Sequence, residues 1–480
     1  MADFWHRLRF VLRGHDHELM MMADRWTDTP IDVPWLRVRG GLDDVAEVPQ
    51  SLGWSAWLDN DTPFDAETYL ECERLWYGPE SDAAHGQDRI RAIHYFQHFY
   101  RAALHEARPA LTVIWNGSLP PELILRDLCH ACGCPVQYVE RAPFEGTIQL
   151  DSQGILGATS IAQASDWTWP KGEPIDQWHE VMESVSRHYI EGQKTWWSQP
   201  KSVGPDKLRK RLRIKPGQRV LLFAGQIDND AQNMLYSPHF KGNLAAFQWF
   251  CDALKYQDDV LILGKHHPRS QVPPDAFRAV VEGQGVWLAD VALEDCMALA
   301  DRVAAVNSTV LYEGLMMDKP GLLMGQGLLS GKGIAYEVER LDAARDVIEA
   351  WLDGDGFQAR KERWNDFGAY LFSSCLYSMK PLDEAAGRRS VDDVGFYLVS
   401  KAADRASLHY DALKLRKTFI DEVNLWDEQA ARFGEHEGFK EVLRGMNIVF
   451  GASLGKLSPS LYQRLLRLAN TSYDRLTRHS

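Results

Sequence analysis

Short apolar runs recur through the middle of this chain, at Val220 to Ala224, Val260 to Leu263, Val286 to Leu288, Arg302 to Val306 and Gly321 to Met324. Between them lie stretches with helical spacing, such as NLAAFQWFCDALKY and LEDCMALA. Strands alternating with helices of this length predict a doubly wound α/β domain. Upstream, LTVIWNGSLPPELILRDLCHACGCPVQYVE follows the same rhythm. It predicts a strand from Leu111 to Trp115, a turn at Asn116-Gly117-Ser118, a helix capped by Ser118 and opened by Pro120, and a second strand ending near Glu140. That is a βαβ unit, hence a parallel sheet. The polar segment QPKSVGPDKLRKRLRIKPGQ separates the two series as an interdomain connection. Beyond Leu341 the pattern turns helical, in LDAARDVIEAWLDG, ARKERWNDFGAYLFSSCL and YDALKLRKTFIDEVNLW. The expected organisation is therefore an N-terminal α/β domain over 1–200, a second α/β domain over 205–340 and a helical extension over 341–480.

Composition changes this picture little. A chain of 480 residues with 25% charged and 45% hydrophobic residues has room for two domains, each with its own core. A net charge of −14 argues against nucleic acid as partner, because counterion displacement needs an extended basic surface. The absence of an apolar run of about 18 residues predicts no spanning helix. The opening MADFWHRLRFVLRGHDHE scatters arginines through its apolar positions, unlike a secretory signal. Seven cysteines, spread thinly apart from CHACGC, suit reduced thiols in a cytoplasmic protein. CHACGC itself lacks a second, distant ligand pair, so a helix end with buried thiols is expected there rather than zinc. In SPSLYQRLLRLANTSYDRLTRHS, Leu461, Leu465 and Leu468 share a helical face with Arg464, Arg467, Arg475 and Arg478 nearby. Such a helix either packs on a domain with its basic side solvated or makes peripheral contact with an anionic inner membrane surface.

The candidate chemistry lies just past the strands, where an open parallel sheet lines its ligand crevice. After the first strand come Gln226, Asp228 and Asp230; after the second, GKHHPRS; after the fourth, NSTVLYEG; after the fifth, GQGLLSGKG. The first loop is acidic and the others carry donors. Lys265, His267 and Arg269 supply charge and N–H groups, while Ser308 and Thr309 open a helix whose dipole favours an anion. A single phosphate fits that set. Simpler roles stay open: Ser308 or Thr309 as a helix cap, Asp228 in a turn and Asp230 as a cap, or Asp228-Asn229-Asp230 as a metal motif for a nucleotide-diphosphate sugar.

Together, GQIDNDAQ, GKHHPRS and VNSTVLYEGLMMDKPGLLMGQGLLSGKG resemble the capsule-synthesis family of bacterial glycosyltransferases, notably the retaining β-Kdo transferases that use CMP-Kdo. YVERAPFEGTIQLDSQGILGATS is similar to that family's segment around a glutamate, followed by its Asp-x-x-Gly turn. The resemblance covers roughly residues 110 to 335. It implies an α/β protein of GT-B type, two Rossmann-like domains facing a cleft with additional C-terminal helices, and transfer of Kdo to a glycan or lipid-linked glycan in capsule or lipopolysaccharide synthesis. It places His267 and Pro268, flanked by Lys265 and Arg269, at the CMP phosphate, Ser308 and Thr309 facing them, and Glu313 at the ribose. It makes Glu140 the acid/base and Asp230 the nucleophile, supported by Asp228. Gln226, Arg141, Asn116 and Gly117 are candidate contacts to Kdo or acceptor, and no metal or other cofactor is expected. His266 departs from the commonest KPHP form. Donors of sialic or glycerol type linked to CMP or CDP, and a nucleotide-sugar-binding subunit without turnover, are the alternatives.

Overall fold

The computed structural model describes residues 2–14, 21–23, 35–37, 66–77, single positions between 90 and 104, 109–164, 167, 175–190, 199–380 and 387–403. The basic face around Leu461, Leu465 and Leu468 and the stretch YDALKLRKTFIDEVNLW lie outside them. The chain divides into two compact units, residues 1–139 with 377–480 and residues 140–376. The changes of pattern near 200 and 340 fall inside the second unit.

The first unit opens with α1 (Ala2–Gly14), the parallel pair β1 (Met21–Ala23) and β2 (Trp35–Arg37), and α2 (Ala66–Tyr77). Then β3 (Thr112–Trp115), α3 (Pro120–Ala131) and β4 (Val136–Arg141) form the expected βαβ unit, with Thr112 opposite Val136 in parallel register. Ser118 does not cap α3. Its N–H donates to Asn116 Oδ1 at 3.0 Å, its hydroxyl bonds the same oxygen, and the cap position is Leu119. The helix tolerates this because Pro120 and Pro121 have no N–H to satisfy. CHACGC closes α3 in a Schellman turn: Gly133 takes φ 67°, its N–H bonds His130 O at 3.0 Å, and Cys134 N–H bonds Cys129 O at 2.7 Å. Cys129 and Cys134 are buried and supply the apolar contact that accompanies such a turn.

The second unit begins with β5 (Thr147–Asp151), α4 (Ser160–Gln163), α5 (Ile175–Ile190) and α6 (Pro205–Arg211). Asp151 ties its turn together, accepting from Gln153 N–H at 2.7 Å and from Ser160 N–H at 2.9 Å. There follow β6 (Arg219–Ala224), α7 (Ala231–Leu235), α8 (Asn243–Ala253), β7 (Val260–Lys265), α9 (Pro274–Val281), β8 (Gly285–Leu288) and α10 (Leu293–Leu299). The alternation ends with β9 (Arg302–Ala305), α11 (Val310–Met316), β10 (Gly321–Leu323), β11 (Tyr336–Glu337), α12 (Ala344–Asp353) and α13 (Phe357–Tyr370). The polar segment before β6 is strapped to this unit rather than free-running. Asp295 accepts from Ser202 Oγ at 2.7 Å and from Val203 N–H at 2.8 Å.

Strands β6 to β11 form one parallel sheet in the order β8-β7-β6-β9-β10-β11. That is the 3-2-1-4-5-6 order of a Rossmann-like domain, and its topological switch point lies between β6 and β9. Helices cover both faces, which explains why β6 is apolar from Val220 to Ala224. Val220, Leu222 and Ala224 enter one core cluster, with Leu311 and Leu315 of α11; Leu221 and Phe223 enter the other, with Phe247 and Phe250 of α8. After β12 (Leu376–Ser378) the chain returns to the first unit, where α14 (Val391–Ala403) packs on α1 through the Arg7–Asp392 pair. Among the described residues no helix is long and apolar enough to cross a membrane.

Candidate functional site

The carboxyl ends of β6 and β9 are joined by a pair of buried amides at the switch point. Gln226 Nε2 donates to Asn307 Oδ1 at 2.8 Å, and Asn307 N–H donates to Gln226 Oε1 at 3.0 Å. Asn243, at the start of α8, pairs with the backbone of Gln226 in both directions, at 3.1 and 3.0 Å. Asn307 Nδ2 then reaches the carbonyls of Gln232, Tyr236 and Gln326 at 2.8, 3.0 and 3.2 Å. Three loops are thereby locked by side chains that are less than a tenth exposed. Gln226, a candidate contact to Kdo or acceptor, uses both ends of its side-chain amide in this latch. Asn307 and Asn243 were not singled out by pattern, because an asparagine following a strand has many ordinary uses.

The two aspartates have different environments. Asp228 accepts from Asn243 Nδ2 at 3.0 Å with one oxygen and from Ser270 Oγ at 2.5 Å with the other. It therefore pins the GKHHPRS loop to the β6 loop. Asp230 caps α7, its Oδ1 accepting from Gln232 N–H at 2.9 Å. Among the described residues nothing bonds its Oδ2, and burial raises the carboxyl's pKa, the cap opposing. The capping role is thus real, and it occupies only one of the two oxygens.

In the donor loops, Lys265 sits inside β7 opposite Ala224, buried, with Nζ donating to His266 O at 2.6 Å. Its ammonium faces that carbonyl, and burial lowers its pKa. His267 Nδ1 accepts from Arg269 N–H at 3.1 Å, which puts the neutral ring's proton on Nε2. Burial, then Lys265 and His266, push its pKa down to about 4, so the free protein presents an uncharged donor there. Pro268 and Arg269 are exposed beside it. Ser308 Oγ accepts from Val310 N–H at 3.3 Å, and Thr309 stands exposed at the cap position of α11 without a side-chain cap bond. Glu313 lies in the first turn of that helix. Burial, with Glu145 adding to it, raises its pKa to about 7.

Glu140 and Arg141 end β4, where Arg141 N–H donates to Glu140 Oε1 at 2.7 Å. Asn116 and Gly117 belong to the first unit and form a tight left-handed turn after β3, with φ of 66° and 84°. The sheet thus gathers Gln226, Asp228, Asp230, His267, Ser308 and Thr309 at its carboxyl edge.

No protein-family model matches the chain. It is 23% identical over 257 residues to protein FixF of Sinorhizobium fredii, covering 51% of this chain and 56% of that one. The chain therefore spans little more than half the length of this curated relative. Among solved structures it is similar to a β-Kdo 2,4 transferase module of Thermosulfurimonas dismutans KpsC, at 16% identity and a TM-score of 0.41, covering 60% of this chain and 86% of that one. A β-Kdo 2,7 transferase module of the same KpsC is similar at 15% identity and a TM-score of 0.38, covering 60% and 84%. The spinosyn rhamnosyltransferase SpnG is similar at 13% and 0.30, covering 83% and 95%.

Proposed function

We propose that this chain is a glycosyltransferase that moves Kdo from CMP-Kdo to a glycan or lipid-linked glycan, working in the cytoplasm in capsule or lipopolysaccharide synthesis. One observation carries this reading: at the switch point of a 3-2-1-4-5-6 sheet, Asp230 holds a half-used, desolvated carboxyl beside the His267 loop and the Ser308-Thr309 turn. A nucleotide belongs at that crevice. His267 Nε2–H and the backbone and hydroxyl donors at 308–310 grip the phosphate of CMP, with Arg269 at the rim.

As CMP leaves, the anomeric carbon becomes cation-like, and a carboxylate on one face stabilises or captures it. Asp230 fits this role better than Asp228. Both oxygens of Asp228 accept hydrogen bonds, whereas Asp230 keeps Oδ2, and its raised pKa makes the ionised carboxylate more basic and more nucleophilic. Attack by Asp230 Oδ2 breaks the bond to CMP. The acceptor hydroxyl then displaces Asp230 while Glu140 takes its proton, so configuration is retained. Asp228, held by Asn243 and Ser270, keeps the phosphate loop in place, and a leaving group with only one phosphate makes metal-free transfer the expectation. Incubation with CMP-Kdo and a Kdo-terminated acceptor, followed by mass analysis of acid-quenched protein, tests this directly. A Kdo adduct on the Asp230 peptide is expected; CMP release only from another CMP- or CDP-linked donor would replace the sugar assignment.

A further inference from the structure

His266, between Lys265 and His267, makes backbone and ring contacts that a proline there could not. Its N–H donates to Leu288 O at 2.8 Å, carrying the β7–β8 ladder one residue past Lys265. Its Nδ1 accepts from Trp287 Nε1–H at 3.2 Å, and its ring meets Phe277 and Trp287 edge-on at 5.9 and 6.1 Å. The indole is itself immobilised, stacked on Phe277 at 4.1 Å and 7°, with Phe247 4.6 Å away. Two glycines make room for it. A Cβ at Gly264 would lie 1.9 Å from the indole, and one at Gly225 would lie 3.3 Å from it and 2.9 Å from Lys265 O. A rigid aromatic stack beneath the carboxyl ends of β6 and β7 therefore delivers one aimed N–H to the residue immediately before His267.

We infer that Trp287 and His266 are positioning residues that set the orientation of His267 and through it the grip on a phosphate-bearing nucleotide. The inference rests on the donor-site reading above. The indole bond requires an unprotonated Nδ1, and His266's surroundings keep it so. Burial and Lys265 of β7 disfavour its cation, as does Arg278 of α9, against the single opposing charge of Asp228 from the β6 loop.

The test uses the full chain, with CMP as probe. Trp287→Phe keeps a stacking ring and removes the N–H; His266→Leu removes the acceptor; His266→Asn restores an acceptor oxygen near the Nδ1 position. Calorimetry should show CMP affinity falling about tenfold in the Phe and Leu variants, the order expected for one buried polar group left unpaired, and by less than about threefold in the Asn variant. The ¹⁵N imidazole resonances of His267, followed without nucleotide, should shift in the Phe and Leu variants and stay in place in the Asn variant. Unchanged His267 resonances in folded Trp287→Phe or His266→Leu protein overturn the inference. If wild-type protein does not bind CMP, the donor-site reading falls, and the His267 resonances alone still decide the positioning role.

Discussion

The functional weight of this site rests on how single oxygens are used. Asp230 spends one on its helix cap and keeps the other, so Asp230→Asn should preserve most of the cap and lose about 10⁴-fold or more in kcat, as losses of a nucleophile do. Asp228→Asn, which disturbs the clamp between Asn243 and Ser270, should instead raise the donor KM with a smaller loss in kcat. Steady-state kinetics on the two variants checks this, and equal losses in kcat would return both aspartates to one role. Titration adds a second residue-scale prediction. Glu313 has a folded pKa raised from 4.5 to about 7, so its contribution to stability is fully present below about 4.5 and is lost as pH rises through about 7. His267 has the opposite sign. With a folded pKa of about 4, it contributes fully above about 6.5, and that contribution is lost as pH falls towards 4. Glu313→Gln removes only the first effect. Its melting temperature should match wild type near pH 4.5 and exceed it by roughly 5 °C at pH 8, measured by calorimetry across pH.

At the scale of elements, the amide latch is what holds three loops in register at the sheet's edge. Asn307→Ala would leave the Gln226 Nε2 donor short of an acceptor and up to three carbonyls short of a donor in a site with little access to water. The expected cost is about 2–4 kcal/mol, seen as a lower midpoint in urea with an unchanged slope. Asn307→Asp should cost no less, since a carboxylate cannot donate to those carbonyls. The same residues show what was legible beforehand. The strands β6, β7, β8, β9 and β10 were readable because a sheet buried on both faces leaves uninterrupted apolar runs. Their loops followed from strand ends alone. The two-residue β11 carries no pattern to detect, and β5 and β12 are short strands in mixed surroundings. Lys265 was expected in a loop because lysine rarely sits inside a buried strand, yet the His266 carbonyl receives its ammonium there. Ser118 was expected as a cap, but Pro120 and Pro121 offer its oxygen no N–H to accept, and its hydroxyl donates to Asn116 Oδ1 instead. Asn307, Asn243 and Trp287 act through partners between 15 and 81 residues away, and no local pattern encodes that distance.

For the molecule as a whole, the sheet order brings loops from four separate stretches of sequence to one edge, and the charge collected there bears on the chemistry. The chain carries a net charge of −14, so an anionic nucleotide sugar gains nothing from the global field and must be held by local donors. The donors proposed for this are His267, the 308–310 turn and Arg269. A diphosphate leaving group would call for a cation to offset its extra charge, whereas the single phosphate of the proposed donor needs none. Turnover by the full chain should therefore be unchanged, within about twofold, after EDTA treatment and on adding Mg²⁺ or Mn²⁺. A drop of about tenfold or more on chelation, restored by one of these ions, would move the chemistry to a metal-assisted departure and demote Asp230 from nucleophile to ligand. Product stereochemistry supplies an independent check on the same protein. Two displacements retain the anomeric configuration of the donor, and NMR of the first product formed should show it retained; inversion would mean the acceptor attacks directly and Asp230 serves only to cap its helix.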